Sequence, residues 1–248
     1  MRDRLIKRFS SKAHLYGVSS EHSATDDVDV AVEMVSPSKE DVYLDVASGT
    51  GHAFFRFCPY VGRAFALDLS LDMLSELKKV DPEALVVVAD VHEMPFAFDT
   101  FTLISSRIAP HHFESLEKFF EEAHRILARG GRMVIIDSAV CDDEELKGFI
   151  EEAEKMRDPT HLRTLTFSQW RKLFSRYFDV IGFKVVRKRH PFKEWLERSP
   201  VEDDAKRCVE RLFRDASPGV KAYFEIEVKN GKVLSYTDDK VVIAGVKK

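Results

Sequence analysis

Apolar residues fall into two rhythms along this chain. Short apolar runs recur at 42–46, 64–68, 84–89, 101–105 and 132–136. Such runs, bounded by Gly, Asp and Pro, predict buried strands. Between them apolar residues return every third or fourth position, which predicts helices. These helices fall near 52–57, after Ser70 (with Leu71, Met73, Leu74 and Leu77), and over 114–128. The last of them carries Leu116, Phe119, Phe120, Ala123, Ile126 and Leu127 on one face, and Gly130-Gly131 punctuates its end. Strands separated by helices pair in parallel, so the pattern specifies an α/β fold with a doubly wound, mostly parallel sheet of seven strands.

The remainder is less regular. Residues 1–34 read as helical, broken around Gly17-Val18-Ser19-Ser20, with 26–35 covering the first strand and Ser36-Pro37-Ser38 turning into it. Helices are expected at 142–156 and, behind the capping box Thr166-x-x-Gln169, at 167–178. A strand near 180–187 precedes a helical stretch of mixed charge at 191–217. Two final strands joined by Lys229-Asn230-Gly231 predict an antiparallel hairpin at the sheet edge. We expect a single domain over 1–248, with a helical cap drawn from 1–34, 140–165 and 190–217.

Composition narrows the classes. The chain has 248 residues, 44% hydrophobic, and its 19 Phe suffice for a large core. A net charge of −4 gives no pull toward nucleic acid or anionic membrane, and no apolar run reaches the ~20 residues of a membrane span. The basic start lacks an apolar stretch behind it and so is not a secretory signal. Cys58, Cys141 and Cys208 are odd in number and far apart, as in a cytoplasmic protein with reduced thiols, and no metal-ligand spacing occurs. One Asn and one Gln stand against 32% charged residues, the composition of a thermophile's protein.

The chemistry concentrates where the first strand ends. Val42-Tyr43-Leu44-Asp45-Val46 delivers a carboxylate and runs into Ala47-Ser48-Gly49-Thr50-Gly51 and then a helix. Nineteen residues past Gly49, the second strand ends in another acid, Asp68, where nucleotide-binding α/β folds place the group that holds ribose hydroxyls. These features imply an adenosine-containing ligand. Phe54 occupies the slot of the third glycine of the dinucleotide fingerprint, which argues against NAD. A carboxylate at position 45 suits an ammonium group better than a pyrophosphate, as in S-adenosylmethionine.

The order of motifs resembles the class I S-adenosylmethionine-dependent methyltransferases, in the branch of the ubiquinone/menaquinone-biosynthesis C-methyltransferases. The residues that carry it are Leu44-Asp45-Val46-Ala47-Ser48-Gly49-Thr50-Gly51-His52, Ala66-Leu67-Asp68-Leu69-Ser70-x-x-Met73-Leu74, Ala89-Asp90-Val91-His92-Glu93-Met94-Pro95-Phe96, Phe98-Asp99-Thr100-Phe101 and Glu122-x-x-Arg125-Ile126-Leu127-x-x-Gly130-Gly131. Residues 107–113 and 157–163 look like a bacterial subgroup of that branch. The resemblance implies that Asp45 and the Ala47 carbonyl hold the methionine ammonium, while Gly49 and Gly51 let the cofactor lie against the backbone. It implies further that Asp68 takes the ribose and Asp90 the adenine amino group, with a Val91 backbone N–H. Leu69, Met73 and Val91 would sandwich the ring, Ser106 or Arg107 would close over the methionine end, and Tyr16 would fold over the cofactor. The family often has glycine where Ala47 stands; alanine is expected to keep φ below zero there and still offer its carbonyl.

His111 and His112 follow the fourth strand and are expected at the catalytic mouth, where a histidine can take a substrate proton; capping the next helix is the alternative. His161, between Arg157 and Arg163, would orient an anionic or polar substrate in the cap or serve a structural role there. Asp45 and Asp68 have plainer readings too, as a satisfied strand-end acid and as an acid at a helix start. Displacement at a sulfonium demands mainly alignment and exclusion of water, so the motifs do not name the methyl acceptor. The resulting expectation is methyl transfer to a small molecule. A cofactor-binding protein without catalysis, an NAD-linked dehydrogenase and an RNA methyltransferase are the other readings.

Overall fold

The computed structural model describes residues 26–198 and 201–248. In chain order the first half contains α1 (Asp26–Val35), β1 (Val42–Val46), α2 (His52–Phe57), β2 (Arg63–Asp68), α3 (Leu71–Val80), β3 (Leu85–Val88), β4 (Phe101–Arg107), a 3₁₀ turn (Pro110–His112) and α4 (Leu116–Ile126). The second half contains β5 (Leu127–Val140), α5 (Glu144–Arg157), β6 (Leu165–Thr166), α6 (Phe167–Phe174), β7 (Phe178–Pro191), α7 (Phe192–Glu197), α8 (Asp203–Arg214), α9 (Pro218–Tyr223), β8 (Glu227–Lys229) and β9 (Lys232–Lys247).

The sheet runs β3-β2-β1-β4-β5-β9-β7, with β6 beside β5 and β8 against β9. The first five strands are parallel, and β9 is antiparallel to both β5 and β7. Successive residues of a strand face opposite sides, and the central strands supply both cores in this way. Leu44, Ile104 and Met133 join Phe119, Phe120, Ile126 and Trp170 on one face. Tyr43, Leu103 and Val134 join Val28 and Ala31 of α1, Phe54 and Phe57 of α2, and Leu74 and Leu77 of α3 on the other. Burial on both faces is why these strands read as continuous apolar runs.

Three expectations change. The expected C-terminal hairpin forms, but its first arm, β8, is only three residues long, and its second arm, β9, lies inside the sheet between β5 and β7 and not at an edge. The turn itself is as expected, with Asn230 and Gly231 at φ 52° and 73°. The helix over 26–35 shares the face of Tyr43 but reaches across to the antiparallel strands. A Cβ at Gly182 of β7 would meet Met34 Sδ at 2.4 Å, so Met34 of α1 packs directly onto the glycine and a side chain there would have to displace it. Arg132 of β5 fastens the end of α1 by donating to the carbonyls of Val35 and Ser36. α6 ends at Phe174, four residues earlier than its apolar spacing suggests, although its capping box is present.

A third apolar cluster gathers Phe149 and Ile150 of α5, Phe192 and Trp195 of α7, Phe213 of α8, Val220 of α9, and Tyr236 of β9. Val140, the last residue of β5, belongs to it as well. These helices therefore stand over the carboxyl ends of the parallel strands, the side on which open α/β sheets hold ligands.

Candidate active site

β1 ends in a loop whose backbone turns left-handed three times, at Ala47 (φ 56°), Gly49 (φ 56°) and Gly51 (φ 92°). The expectation that Ala47 keeps a negative φ is thus wrong. The loop needs the left-handed turn, and the alanine accepts a strain of about 1 kcal/mol to make it. The two glycines differ in purpose. A Cβ on Gly49 would meet nothing within 4 Å, since the cleft lies open beside it. A Cβ on Gly51 would lie 2.8 Å from Phe55 and 2.9 Å from Leu77. Gly51 does not line the cleft, contrary to the expectation; it lets α2 pack against α3.

Asp68 anchors this loop. Its Oδ2 accepts from the Gly49 N–H at 2.8 Å and its Oδ1 from the Ser70 N–H at 2.8 Å. Ser70 in turn caps α3 by accepting from Met73 N. One carboxylate at the end of β2 therefore fixes both the glycine loop and the start of the next helix. Burial raises its pKa, against the opposing pull of these backbone donors.

Asp45 is 1% exposed. Tyr43 donates to Ser105 Oγ at 2.6 Å, and Ser105 donates to Asp45 Oδ1 at 2.6 Å. Asp45 Oδ2 and the buried hydroxyls of Ser48 and Thr50 beside it make no hydrogen bond of ordinary geometry among the described residues, although the Ser48 hydroxyl and the Phe54 N–H act on the carboxyl in favour of its charged form. Burial pushes the carboxyl up to about 6, with the Ser105 hydroxyl pulling the other way. A buried acid left half satisfied at a cleft is a costly arrangement for a chain to hold without a partner for it.

The cleft has a volume of about 300 Å³, within the range of small-molecule sites. It brings together Asp45, Ala47, Gly49, Asp68, Leu69, Met73, Asp90, Val91 and Arg107, as the sequence leads one to expect, and adds Ser48, His52, His92 and Phe113. Asp90 Oδ1 accepts from His92 N at 2.9 Å and from His92 Nδ1 at 2.7 Å, and His92 Nε2 accepts from the Ser115 N–H at the start of α4. Ser106 does not line the cleft: it is fully buried within β4, and alternation gives the cleft side to Arg107. The Arg107 guanidinium grips Asp27 of α1 through Nε at 3.1 Å and Nη2 at 3.0 Å. Tyr16 lies outside the described residues.

The three histidines converge. Ring centroids of His111 and His112 are 4.1 Å apart, and those of His111 and His161 are 4.9 Å apart. All three line a second cavity, and His112 lines the cleft as well. His112 Nδ1 donates to the Thr160 carbonyl at 2.9 Å; burial and the neighbouring His111 hold its pKa well below the usual histidine range. His161 bonds Thr164 through Nε2 at 3.0 Å, and burial with His111 pushes it down to about 4. The sequence reading missed Asp137, which holds His111 through Nδ1 at 2.6 Å. A signal existed: Asp137 closes the apolar run Val134-Ile135-Ile136, as Asp45 and Asp68 close theirs.

Residues 44–135, which contain both strand-end acids and the glycine loop, match the family model of a methyltransferase domain. Over 97% of its length the chain is 25% identical to the uncharacterized methyltransferase YcgJ of Bacillus subtilis, of which it covers 98%. The chain is a class I S-adenosylmethionine-dependent methyltransferase. BH2331, a proposed methyltransferase from Bacillus halodurans, superposes on this methyltransferase with a TM-score of 0.85 at 26% identity, over 89% of this chain and 98% of its own. The ubiquinone/menaquinone biosynthesis C-methyltransferase UbiE of Rhizobium etli is 32% identical over 125 residues, 46% of this chain and 48% of that protein. The likeness to that enzyme thus spans about half of either chain. Among the described residues no helix is long and apolar enough to cross a membrane.

Proposed function

We propose that this methyltransferase binds S-adenosylmethionine in the cleft beside Asp45 and transfers its methyl group, by in-line displacement, to a small molecule held in the second cavity. The buried Oδ2 of Asp45, which makes no hydrogen bond of ordinary geometry among the described residues, carries this reading. A carboxylate with a pKa near 6 is mostly ionised at neutral pH, and in a low-dielectric cleft it attracts an ammonium and repels a pyrophosphate. The residues fit the cofactor elsewhere too. The space beside Gly49 admits close approach to backbone, Asp68 and Asp90 lie at the ends of neighbouring strands, and Leu69, Met73 and Val91 offer apolar walls for a ring.

When bound, the cofactor supplies an electrophilic methyl group on a sulfonium. The chain's task is then to hold the acceptor in line and keep water out. Arg107, Ile108 and His112 line both the cleft and the second cavity, so the acceptor meets the methyl there. The three free cysteines suit a reducing compartment such as the cytoplasm. Thermal melts with added ligand test the cofactor. At a hundredfold excess over Kd, S-adenosylmethionine should add roughly 2.7 kcal/mol to stability, and NAD should add nothing. A melt that responds to NAD and not to S-adenosylmethionine would sink the reading.

A further inference from the structure

His111 differs from its two neighbours in having a carboxylate of its own. Asp137, fully buried at the end of β5, accepts from the His111 backbone N–H at 2.9 Å and from its Nδ1 at 2.6 Å. The same carboxylate also accepts from the Ser138 N–H at 2.9 Å. Backbone and ring are thus gripped by one immobile acid, which fixes the ring and its tautomer. With the proton on Nδ1, the lone pair is on Nε2. The ring's bond to a described residue is through Nδ1, and His111 lines the second cavity.

The other groups around it have occupations. His112 donates through Nδ1 to a carbonyl and His161 bonds a threonine hydroxyl; Asp158 acts on both rings and Glu154 on His161, but neither of these two bonds is to a carboxylate. Asp158, at the end of α5, accepts from Thr160 N and Oγ1, and Glu154 of α5 pairs with Arg157. On β9, Lys240 donates to Asp238 at 2.7 Å and to Ser138 Oγ at 2.8 Å, and His190 of β7 holds the other oxygen of Asp238. Arg107 of β4 is held by Asp27. His190 meets Asp238 in the same way, but Lys240 already donates to that carboxylate; the carboxylate behind His111 is bound by backbone N–H groups and the His111 ring, with no cation hydrogen-bonded to it among the described residues.

We infer that His111 is the general base of the transfer, that Asp137 positions it, and that the acceptor is a protic nucleophile: a phenol, an enol or a carbon acid beside a carbonyl. The inference deepens the cofactor reading of the adjoining cleft and rests on it. The acceptor's O–H or C–H bond breaks, and its proton goes to His111 Nε2. The electron pair left behind forms the bond to the methyl carbon, and the pair of the broken C–S bond stays on the departing thioether. The imidazolium, stabilised by Asp137, returns its proton to solvent after product leaves.

Two measurements on the full chain test this. Long-range ¹H–¹⁵N spectra of the ligand-free protein read the tautomer without any acceptor. A His111 carrying its proton on Nδ1 is expected, and a proton on Nε2 overturns the assignment. Second, release of S-adenosylhomocysteine is followed with a panel of phenols and 1,3-dicarbonyl compounds, and with a matched panel of tertiary amines and thioethers, which have no proton to lose. Turnover is expected in the first panel alone. His111→Gln should slow it by about a hundredfold or more and abolish the acidic limb of the kcat/KM profile; Asp137→Asn should shift that limb. Turnover of the aprotic panel, or an unchanged profile in His111→Gln, refutes the base. Titration of both variants with S-adenosylhomocysteine separates the two readings: intact binding assigns a failure to the base, and absence of binding in the wild type assigns it to the cofactor site.

Discussion

Replacing Asp45 by asparagine should make the ligand-free protein more stable and its cofactor site nearly useless. Folding buries this carboxyl and raises its pKa from the ordinary 3.8 to about 6. The folded state therefore prefers the neutral acid. Below pH ~4 the group is protonated in both states and imposes no penalty. As pH rises through the folded-state value the protein must keep a charge in a buried place, and stability falls by about 3 kcal/mol in all. Asparagine carries no charge but leaves its amide nitrogen without an acceptor, so the expected gain at pH 8 is about 1–3 kcal/mol. Urea melts of the two proteins at several pH values measure it. The stability gap should be widest at pH 8 and close as pH falls below 6. In the same variant, losing the anion opposite a buried ammonium should weaken S-adenosylmethionine by roughly 2–5 kcal/mol, from about 30-fold to several thousand-fold. An Asp45→Asn protein that is less stable than wild type at pH 8 would show that the ionised carboxylate is well solvated where it sits, and the reasoning would fail.

The two glycines of the loop should separate binding from folding. Gly49→Ala projects a methyl into open cleft space, so it should cost only about 1 kcal/mol of stability yet sharply weaken the cofactor, as titration will show. Gly51→Ala presses on Phe55 and Leu77 and should lower the melting temperature by the equivalent of about 1–3 kcal/mol. Asp68→Ala frees the Gly49 and Ser70 amides; melts should show a cooperative fold weaker by about 1–3 kcal/mol, with cofactor affinity lost as the loop relaxes. Unchanged stability in that variant would mean that Asp68 does not hold the loop.

Local signals were the legible ones. β1 and α2 have the boundaries that their apolar runs and flanking glycines suggest, because each is decided by residues within a few positions. The acids at 45, 68 and 90 line one cleft because strand ends in this fold converge on one edge. Long-range geometry was not legible. That β9 lies between β5 and β7 depends on pairings such as Ile135 with Ile243, over a hundred residues apart, which no local pattern encodes. The left-handed Ala47 escaped for the opposite reason: its own side chain disfavours the conformation, and the loop around it overrides that preference. The partnership of Asp137 with His111 spans two elements and was visible only as one more acid closing an apolar strand.

Calorimetric titration of S-adenosylmethionine at pH 6, in buffers of differing ionisation heat, tests the central claim most directly. A carboxyl with a pKa near 6 is half protonated there, and an ammonium bound against it drives the proton off. The account predicts micromolar binding with release of about half a proton, no proton release in Asp45→Asn, and no heat from NAD. Binding of NAD in place of S-adenosylmethionine, or proton uptake on binding, would contradict it.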